Sequence, residues 1–174
     1  MTEAVAIRLL AAADLPAYKA LRDDMLEAHP EAFTSDAHEE RAKEPTDYLH
    51  RLGLDRRERG QFVLGTLRGE RLLGAIGCER DPRRKGRHIG HIVSMMVRPE
   101  ARRQGIGREL LQGLIGECRR TDGLEMLTLT VTAGNAPAVH LYERSGFVVY
   151  GNLRRAIRLD DDTYHDKLHM VLPL

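Results

Sequence analysis

The chain of 174 residues has no tryptophan, few aromatic residues of any kind and only two cysteines. Cys78 and Cys118 are too few for a disulfide framework and too far apart in the chain for a metal-binding pair, so both are predicted to be reduced thiols. No apolar run approaches the ~20 residues that a membrane-spanning helix needs, and the N-terminus has no signal-peptide core. These absences argue against a disulfide-rich or membrane-spanning protein and predict a cytoplasmic one that does not bind membranes.

An excess of charge of either sign is also missing. Lysine and arginine number 27 against 26 aspartates and glutamates, which leaves a net charge of +1. This balance argues against a dedicated nucleic-acid-binding protein. A chain of this length with 42% hydrophobic residues can bury one full-sized core and has little room for a second, so we predict a single domain over residues 4–174.

The eight histidines do not suggest a metal site. His88 and His91 are three positions apart on a predicted strand, so their side chains would point to opposite faces. His165 and His169 share a face, but no cysteine or obvious carboxylate ligand stands beside them. The sequence therefore predicts no metal.

Hydrophobic periodicity defines the order of strands and helices. Strands are predicted at 4–10, 62–67, 72–78, 88–97 and 124–131, with two more between 148 and 174. Helices are predicted from an N-cap at Asp14 to His29, across 31–59, at 105–121 and at 135–146. Because a helix joins the strands 88–97 and 124–131, these two should run parallel and could splay at their far end. The expected fold class is α+β (α/β), with a mixed, mostly antiparallel sheet of six to seven strands, a parallel central pair and helices on both faces.

The stretch from Met95 to Leu111 has the pattern of a strand, a basic loop and a helix start. Pro99 ends the strand because proline cannot donate to a ladder, and apolar residues recur at helical spacing after Gly105. The first amides of a helix lack intrahelical partners and carry partial positive charge. Gly105 and Gly107 leave this backbone accessible, and the neighbouring arginines have guanidinium groups suited to phosphate oxygens. The stretch therefore predicts a pyrophosphate site rather than an ordinary exposed turn.

A second pattern covers residues 135–147. Asn135 is a suitable N-cap, Ala138 and Tyr142 share a helix face, and Gly146 fits a C-cap. Taken alone, the pattern is equally typical of a capped amphipathic helix in which Tyr142 only packs.

Together the two patterns resemble a known family. The run 102–107, Arg-Arg-Gln-Gly-Ile-Gly, resembles the R/Q-x-x-G-x-G/A signature of the GNAT superfamily of acyl-CoA N-acyltransferases, and 135–147 resembles its N-x-x-A-x-x-L-Y-x-x-x-G-F signature. The resemblance implies an N-acetyltransferase that takes acetyl-CoA as co-substrate and acetylates a primary amine of a small molecule or protein by direct attack in a ternary complex. The cofactor-binding residues that it implies are Met95, Met96, Val97, Arg102, Arg103, Gln104, Gly105, Ile106, Gly107, Arg108, Asn135, Ala138 and Tyr142.

The resemblance also implies catalytic roles. Tyr142 matches the acid that protonates the leaving thiolate, because a phenol ordinarily keeps its proton at neutral pH. A hydroxyl that rests on a backbone carbonyl is the alternative. Many members of the family have a glutamate on the central strand as general base, but 88–97 contains none, which leaves His91 and Glu79 as candidates and Ser94 as a further polar residue. That missing glutamate favours the rival function, a non-catalytic acyl-CoA-binding regulatory module on the same fold.

The acceptor side is less defined. Phe33, Glu39 and Glu40 lie in the early region that forms one wall of the acceptor site in this family, so the resemblance implies that they bind substrate. Acidic and aromatic groups suit a cationic amine, although a solvated polar helix has the same composition. A homodimer is one possible assembly.

Overall fold

The computed structural model describes residues 5–54 and 60–174. The strands in this part of the chain are β1 (Val5–Leu9), β2 (Phe62–Arg68), β3 (Arg71–Arg80), β4 (Ile89–Val97), β5 (Met126–Thr132), β6 (Val148–Arg158) and β7 (Tyr164–Pro173). The α-helices are α1 (Leu15–Ala28), α2 (Ala37–Arg41), α3 (Leu49–Leu52), α4 (Ile106–Arg119) and α5 (Ala136–Arg144). Within the described ranges, no helix is long and apolar enough to cross a membrane.

The strands form one sheet in the order β1-β2-β3-β4-β5-β7-β6. Each neighbouring pair is antiparallel except β4 and β5, which are parallel because α4 carries the chain back between them. The predicted mixed sheet with a parallel central pair is confirmed.

The parallel pair separates after three residues. Ile89, Gly90 and His91 pair with 126–128 of β5, and beyond His91 the two strands have no register partners in each other. β4 stays paired with β3 but contains a bulge, in which two residues, Ser94 and Met95, stand opposite a single residue of β3. Ser94 has a φ of 55°, which bends the strand at the mouth of the opening between β4 and β5.

Helices pack on both faces of the sheet, as predicted. On one face α4 contributes Leu110, Leu111 and Leu114, which are fully buried. The other face holds α1, whose Tyr18 and Leu21 are fully buried. Burial of each such side chain stabilises the fold by about 1.5–3 kcal/mol, so these two clusters fix the sheet between the helix layers.

The two cysteines meet inside the α4 cluster. Cys78 of β3 and Cys118 of α4 are both buried, and their sulfur atoms lie 3.7 Å apart. They are free thiols, as the sequence predicted, but their proximity follows only from the packing of α4 on β3.

The prediction of one helix across 31–59 is wrong for the described residues of that range. The chain instead forms a 3-10 turn at Pro30–Ala32, then α2, a second 3-10 turn at Pro45–Tyr48, and α3. Pro45 interrupts the helical pattern because proline and the residue before it disfavour a continuous helix. Gly53, with a φ of 56°, ends α3 in the left-handed conformation. Residues 55–59 of the predicted helix lie outside the described residues.

Asp14 is the N-cap residue of α1, as predicted, but its side chain makes no capping hydrogen bond to that helix. It also ends a 3-10 turn over Ala12–Asp14 that leads into α1. Its carboxylate accepts a hydrogen bond of 2.7 Å from the amide of Ala11 and forms an ion pair with Arg8. The helix itself ends at Ala28, before Pro30, as predicted.

Candidate active site

Two adjoining cavities open where β4 and β5 separate. The larger has a volume of about 790 Å³ and the smaller about 260 Å³. Five residues line both of them: Ala32, Phe33, Met95, Thr132 and Asn135. Because these walls are shared, molecules bound in the two cavities would meet beside Met95 and Asn135.

The floor of the larger cavity is the start of α4. Gly105, with a φ of 82°, is its N-cap residue, and no side chain caps the helix. The first helical hydrogen bond runs from the amide of Glu109 to the carbonyl of Gly105 at 3.0 Å. Among the described residues no acceptor pairs with the amides of Ile106, Gly107 or Arg108, and these three residues line the cavity. Unpaired amides at a helix N-terminus form a binding site for an anion.

Arginines add full positive charge to this floor. Arg102, Arg103 and Arg108 line the cavity, and none of them forms an ion pair with a carboxylate of the described residues. Arg102 contacts Nε2 of His29 at 2.7 Å. A Cβ at Gly107 would lie 3.2 Å from Cε of Met95, so the loop lies close against β4. Free amides, arginines and glycines in this arrangement fit the diphosphate of coenzyme A.

Ten of the residues predicted to bind the cofactor line the larger cavity: Met95, Val97, Arg102, Arg103, Gly105, Ile106, Gly107, Arg108, Asn135 and Ala138. Three do not. Met96 is buried against α1 on the other face of the sheet, and Gln104 is exposed and donates to the carbonyl of Glu100 at 2.8 Å. Tyr142 lines the smaller cavity instead.

Pro137 and Leu141, which were not among the predicted site residues, line the larger cavity from α5. Leu141 follows Ala138 by three positions, so helical spacing from Ala138 could have identified it. Pro137 is the chain neighbour of Ala138 and lies outside that spacing. Asn135 was predicted correctly as the N-cap of this helix, since its side chain accepts from the amide of Ala138 at 3.3 Å.

Tyr142 combines burial with an unused hydroxyl. Its side chain is only 5% exposed and packs edge-on against Phe147, with ring centroids 5.9 Å apart. Its hydroxyl makes no hydrogen bond to any of the described residues and lies in a side chain that lines the smaller cavity. Burial raises the pKa of Tyr142 above its ordinary value, so the phenol keeps its proton at neutral pH. The smaller cavity therefore has an available hydroxyl donor in its wall.

The two candidate bases, His91 and Glu79, lie outside both cavity linings. His91 Nδ1 contacts the hydroxyl of Thr128 at 2.6 Å, and Glu79 lies 3.6 Å from Arg51 in an ion pair. Neither His91 nor Glu79 lines either cavity. Ser94 does line the smaller one, but its hydroxyl already accepts from Tyr18 and from Arg51, each at 3.0 Å.

Only one of the three predicted acceptor residues lines a cavity. Phe33 lines both cavities, whereas Glu39 is exposed on α2 and lines neither. Glu40 is buried and accepts hydrogen bonds of 2.6 Å from both Arg22 and Tyr48. Burial opposes its ionisation, but these bonds and one from Lys43 outweigh that effect and lower the pKa of Glu40 to about 2.

Of the early acidic residues, Glu39 and Glu40 line neither cavity, whereas Glu31 lines the larger one. No aspartate or glutamate of the described residues lines the smaller cavity, and the charged groups there are Arg22, Arg51 and Lys167. No local sequence pattern predicted a role for Lys167, which lies on β7. No cluster of three His, Cys, Asp or Glu side chains able to hold a metal occurs in 5–54 and 60–174.

Comparison with known proteins gives a consistent result. The model of the acetyltransferase (GNAT) family matches residues 18–147. The crystal structure of a GNAT-family acetyltransferase from Streptococcus pneumoniae has the same fold, with a TM-score of 0.84, 24% identity and coverage of 98% of this chain and 100% of that one.

Curated relatives match over shorter stretches. The ribosomal protein bS18-alanine N-acetyltransferase of Escherichia coli strain K12 is 39% identical over 83 residues, which cover 48% of this chain and 55% of that protein. The catalytic subunit of the N-terminal acetyltransferase B complex of Arabidopsis thaliana is 30% identical over 94 residues, 54% of this chain and 53% of that protein. The chain thus spans about half the length of these curated relatives.

Proposed function

The chain belongs to the acetyltransferase (GNAT) family, and from that premise we propose that it transfers an acetyl group from acetyl-CoA to a primary amine by direct attack in a ternary complex. The observation that carries the proposal is the hydroxyl of Tyr142, which has no hydrogen-bond partner among the described residues and whose side chain lines the smaller of two adjoining cavities. Separate, adjoining cavities allow both substrates to bind at once, which direct transfer requires.

The larger cavity is assigned to the cofactor. Acetyl-CoA, when bound, supplies an acetyl group already activated as a thioester. The amides of Ile106, Gly107 and Arg108 would donate to its diphosphate oxygens, with Arg102 and Arg103 as counter-charges. The backbone of 92–97, which has no partner on β5, would pair with the amide groups of the pantetheine arm in the manner of an added strand.

Tyr142 is assigned the role of acid. Its Oη holds a proton at neutral pH and would donate it, as a hydrogen bond or completely, to the sulfur that leaves. An amide at the bulge of Ser94 and Met95 would donate to the thioester carbonyl, since these two residues have no register partners on β3. Rigid placement of both substrates contributes the rest, because proximity replaces a bimolecular encounter.

The lining of the smaller cavity suggests that the amine enters in its neutral form. Its described residues include no carboxylate and no imidazole. The roles of His91 and Glu79 as bases remain predictions, and from outside the cavities they would act through water. Activity should then rise with pH until the free acceptor amine is deprotonated.

Thiol release from acetyl-CoA in the presence of an amine panel tests the proposal. The expected result is release that depends on one class of amine and on Tyr142. If acetyl-CoA binds and stabilises the protein but no amine in the panel is acetylated, the rival of a non-catalytic acyl-CoA-binding module would replace the enzyme.

Three broader expectations stay predictions. These are a single domain over 4–174, a homodimer and a cytoplasmic location. Sedimentation of the purified chain at micromolar concentration measures its oligomeric state, and a monomer would contradict the homodimer.

A further inference from the structure

Lys167 is a cation in the wall of the smaller cavity that has no carboxylate partner among the described residues. It lies on β7 opposite Thr132 of β5, and its Nζ donates to the hydroxyl of Thr34 at 2.8 Å. No carboxylate of the described residues lies within 4.0 Å of Nζ. Burial lowers the pKa of Lys167 below its ordinary value, because a half-buried ammonium loses hydration that no anion replaces.

Arg51 brings a second cation to the same cavity. It lies on α3, and its Nη1 donates to the hydroxyl of Ser94, which also lines the cavity. Glu79 is 3.6 Å away, beyond hydrogen-bond distance, and Nε of Arg51 is buried without a partner among the described residues. The guanidinium therefore keeps donor capacity for an incoming anion.

The third cation, Arg22, serves as an internal contrast. Its charge is compensated by Glu40 at 2.6 Å, and its Nη2 donates to Ser35 at 2.9 Å. Among the described residues, neither Lys167 nor Arg51 has a carboxylate this close. Because every charged side chain of the described lining is a cation, the cavity favours an anion.

From this arrangement we propose that the acceptor is a small amine that also carries an anionic group, such as a carboxylate or phosphonate, held by Lys167 and Arg51. The inference rests on the proposed acetyl transfer and names its substrate class. It replaces the cationic amine expected from Glu39 and Glu40.

The size and lining of the cavity agree with a small acceptor. A volume of about 260 Å³ is below the usual range for drug-sized ligands and suits a molecule of amino-acid size. Phe33, Leu129 and Val131 provide an apolar wall for its carbon skeleton. With the anion at Lys167 and Arg51, the amine is left to face the junction near Tyr142.

The same cations help the amine react. Nearby positive charge disfavours the ammonium form of a bound amine and lowers its pKa. An amino group held beside Lys167 and Arg51 would thus bind in its neutral, nucleophilic form without a carboxylate base. A polyamine would instead place further positive charge beside both cations, which is unfavourable.

The test compares acceptors that differ only in the anion. Free amino acids are measured against their amides, with spermidine and a peptide with a free N-terminal alanine as other classes, by thiol release from acetyl-CoA. We expect kcat/KM to be about 10–100-fold higher for the free acids, the range of one hydrogen bond between charged groups. This comparison uses the wild-type protein and needs no variant to fold.

Two matched variants then locate the effect. Lys167→Met should remove most of the preference for acids over amides while acetyl-CoA KM and melting temperature stay near wild type. Lys85→Met removes an exposed lysine in the loop after β3 and should keep the preference.

The outcomes separate this inference from the function beneath it. Equal or better acetylation of amides, spermidine or the peptide would leave acetyl transfer standing and overturn the anionic acceptor. A preference for acids that survives Lys167→Met would also overturn the assigned site. Absence of transfer to every acceptor, with acetyl-CoA bound, would overturn the proposed function itself.

Discussion

The two cavities are built in different ways. The larger one has the backbone of one stretch, 95–108, as its floor, with further walls from α5 and from residues 25–33. The smaller one is lined by side chains from separate parts of the chain, including Arg22, Phe33, Arg51, Tyr142 and Lys167. A backbone site recognises a fixed ligand with little dependence on side chains, whereas a side-chain site can change its specificity by single substitutions. The cavities thus differ as a cofactor site and a substrate site should.

Tyr142→Phe should give the largest effect and tests whether the smaller cavity is catalytic. The substitution removes one hydroxyl that has no partner among the described residues and keeps the packing against Phe147. Turnover should fall by roughly 10²–10⁴-fold with little change in acetyl-CoA binding or melting temperature.

Tyr150→Phe is the matched control, since Tyr150 is 61% exposed on β6. It should behave as wild type. Turnover of Tyr142→Phe within about threefold of wild type would make Tyr142 a packing residue.

Gly105→Asp should damage the larger cavity selectively. The added carboxylate would stand beside the free amides at the start of α4 and repel the diphosphate. We expect the KM for acetyl-CoA to rise about 10–100-fold, while the acceptor KM changes far less.

Gly105→Ala separates charge from strain. It introduces the cost of a left-handed residue, about 1 kcal/mol, without the charge. If Gly105→Asp folds and keeps a normal KM for acetyl-CoA, the diphosphate site lies elsewhere.

Glu40 lies behind the smaller cavity, and its substitution should lower the free energy of unfolding. The pKa of Glu40 is about 2 in the folded protein against an ordinary 4.5, so its carboxylate stabilises the fold above pH ~4.5. That contribution, about 3 kcal/mol, is lost as pH falls through the folded pKa. Glu40→Gln should therefore lower the melting temperature at neutral pH, and its difference from wild type should shrink below pH 4.

The matched control is Glu39→Gln, because Glu39 is the exposed neighbour on the same helix. Its melting temperature should stay near wild type at all pH values. Glu40→Gln should also lower the KM for an anionic acceptor, since Arg22 loses its partner and its charge becomes available to the smaller cavity, and leave the KM for acetyl-CoA unchanged. Equal effects on both KM values would contradict the separation of the two sites.

The difference between the cavities also explains what could be predicted from sequence. Pro99, Gly105 and Asn135 act on the backbone beside them, so their positions predict where a strand ends or a helix begins. The cofactor residues of 95–108 follow from that local pattern, apart from Met96 and Gln104, whose side chains point away.

The smaller cavity depends on contacts between distant segments. Lys167 meets Thr34 across 133 positions because β7 pairs with β5, and no periodicity in the sequence records that contact. Glu40, a predicted acceptor residue, lies outside both cavity linings for a related reason. From sequence alone, an acidic residue on a polar helix is expected to be exposed to solvent. Folding brings Arg22 and Tyr48 within hydrogen-bond distance of the Glu40 carboxylate and buries it.

Thermal unfolding of the wild-type protein with and without acetyl-CoA tests the central claim most directly. A ligand that binds only the native state at about 100 times its Kd stabilises it by ~2.7 kcal/mol, or about 5–10 °C for a chain of this size. Millimolar acetyl-CoA should produce such a shift, Gly105→Asp should lose most of it, and NAD should produce none. No shift with acetyl-CoA would contradict the assignment of the larger cavity and the function built on it.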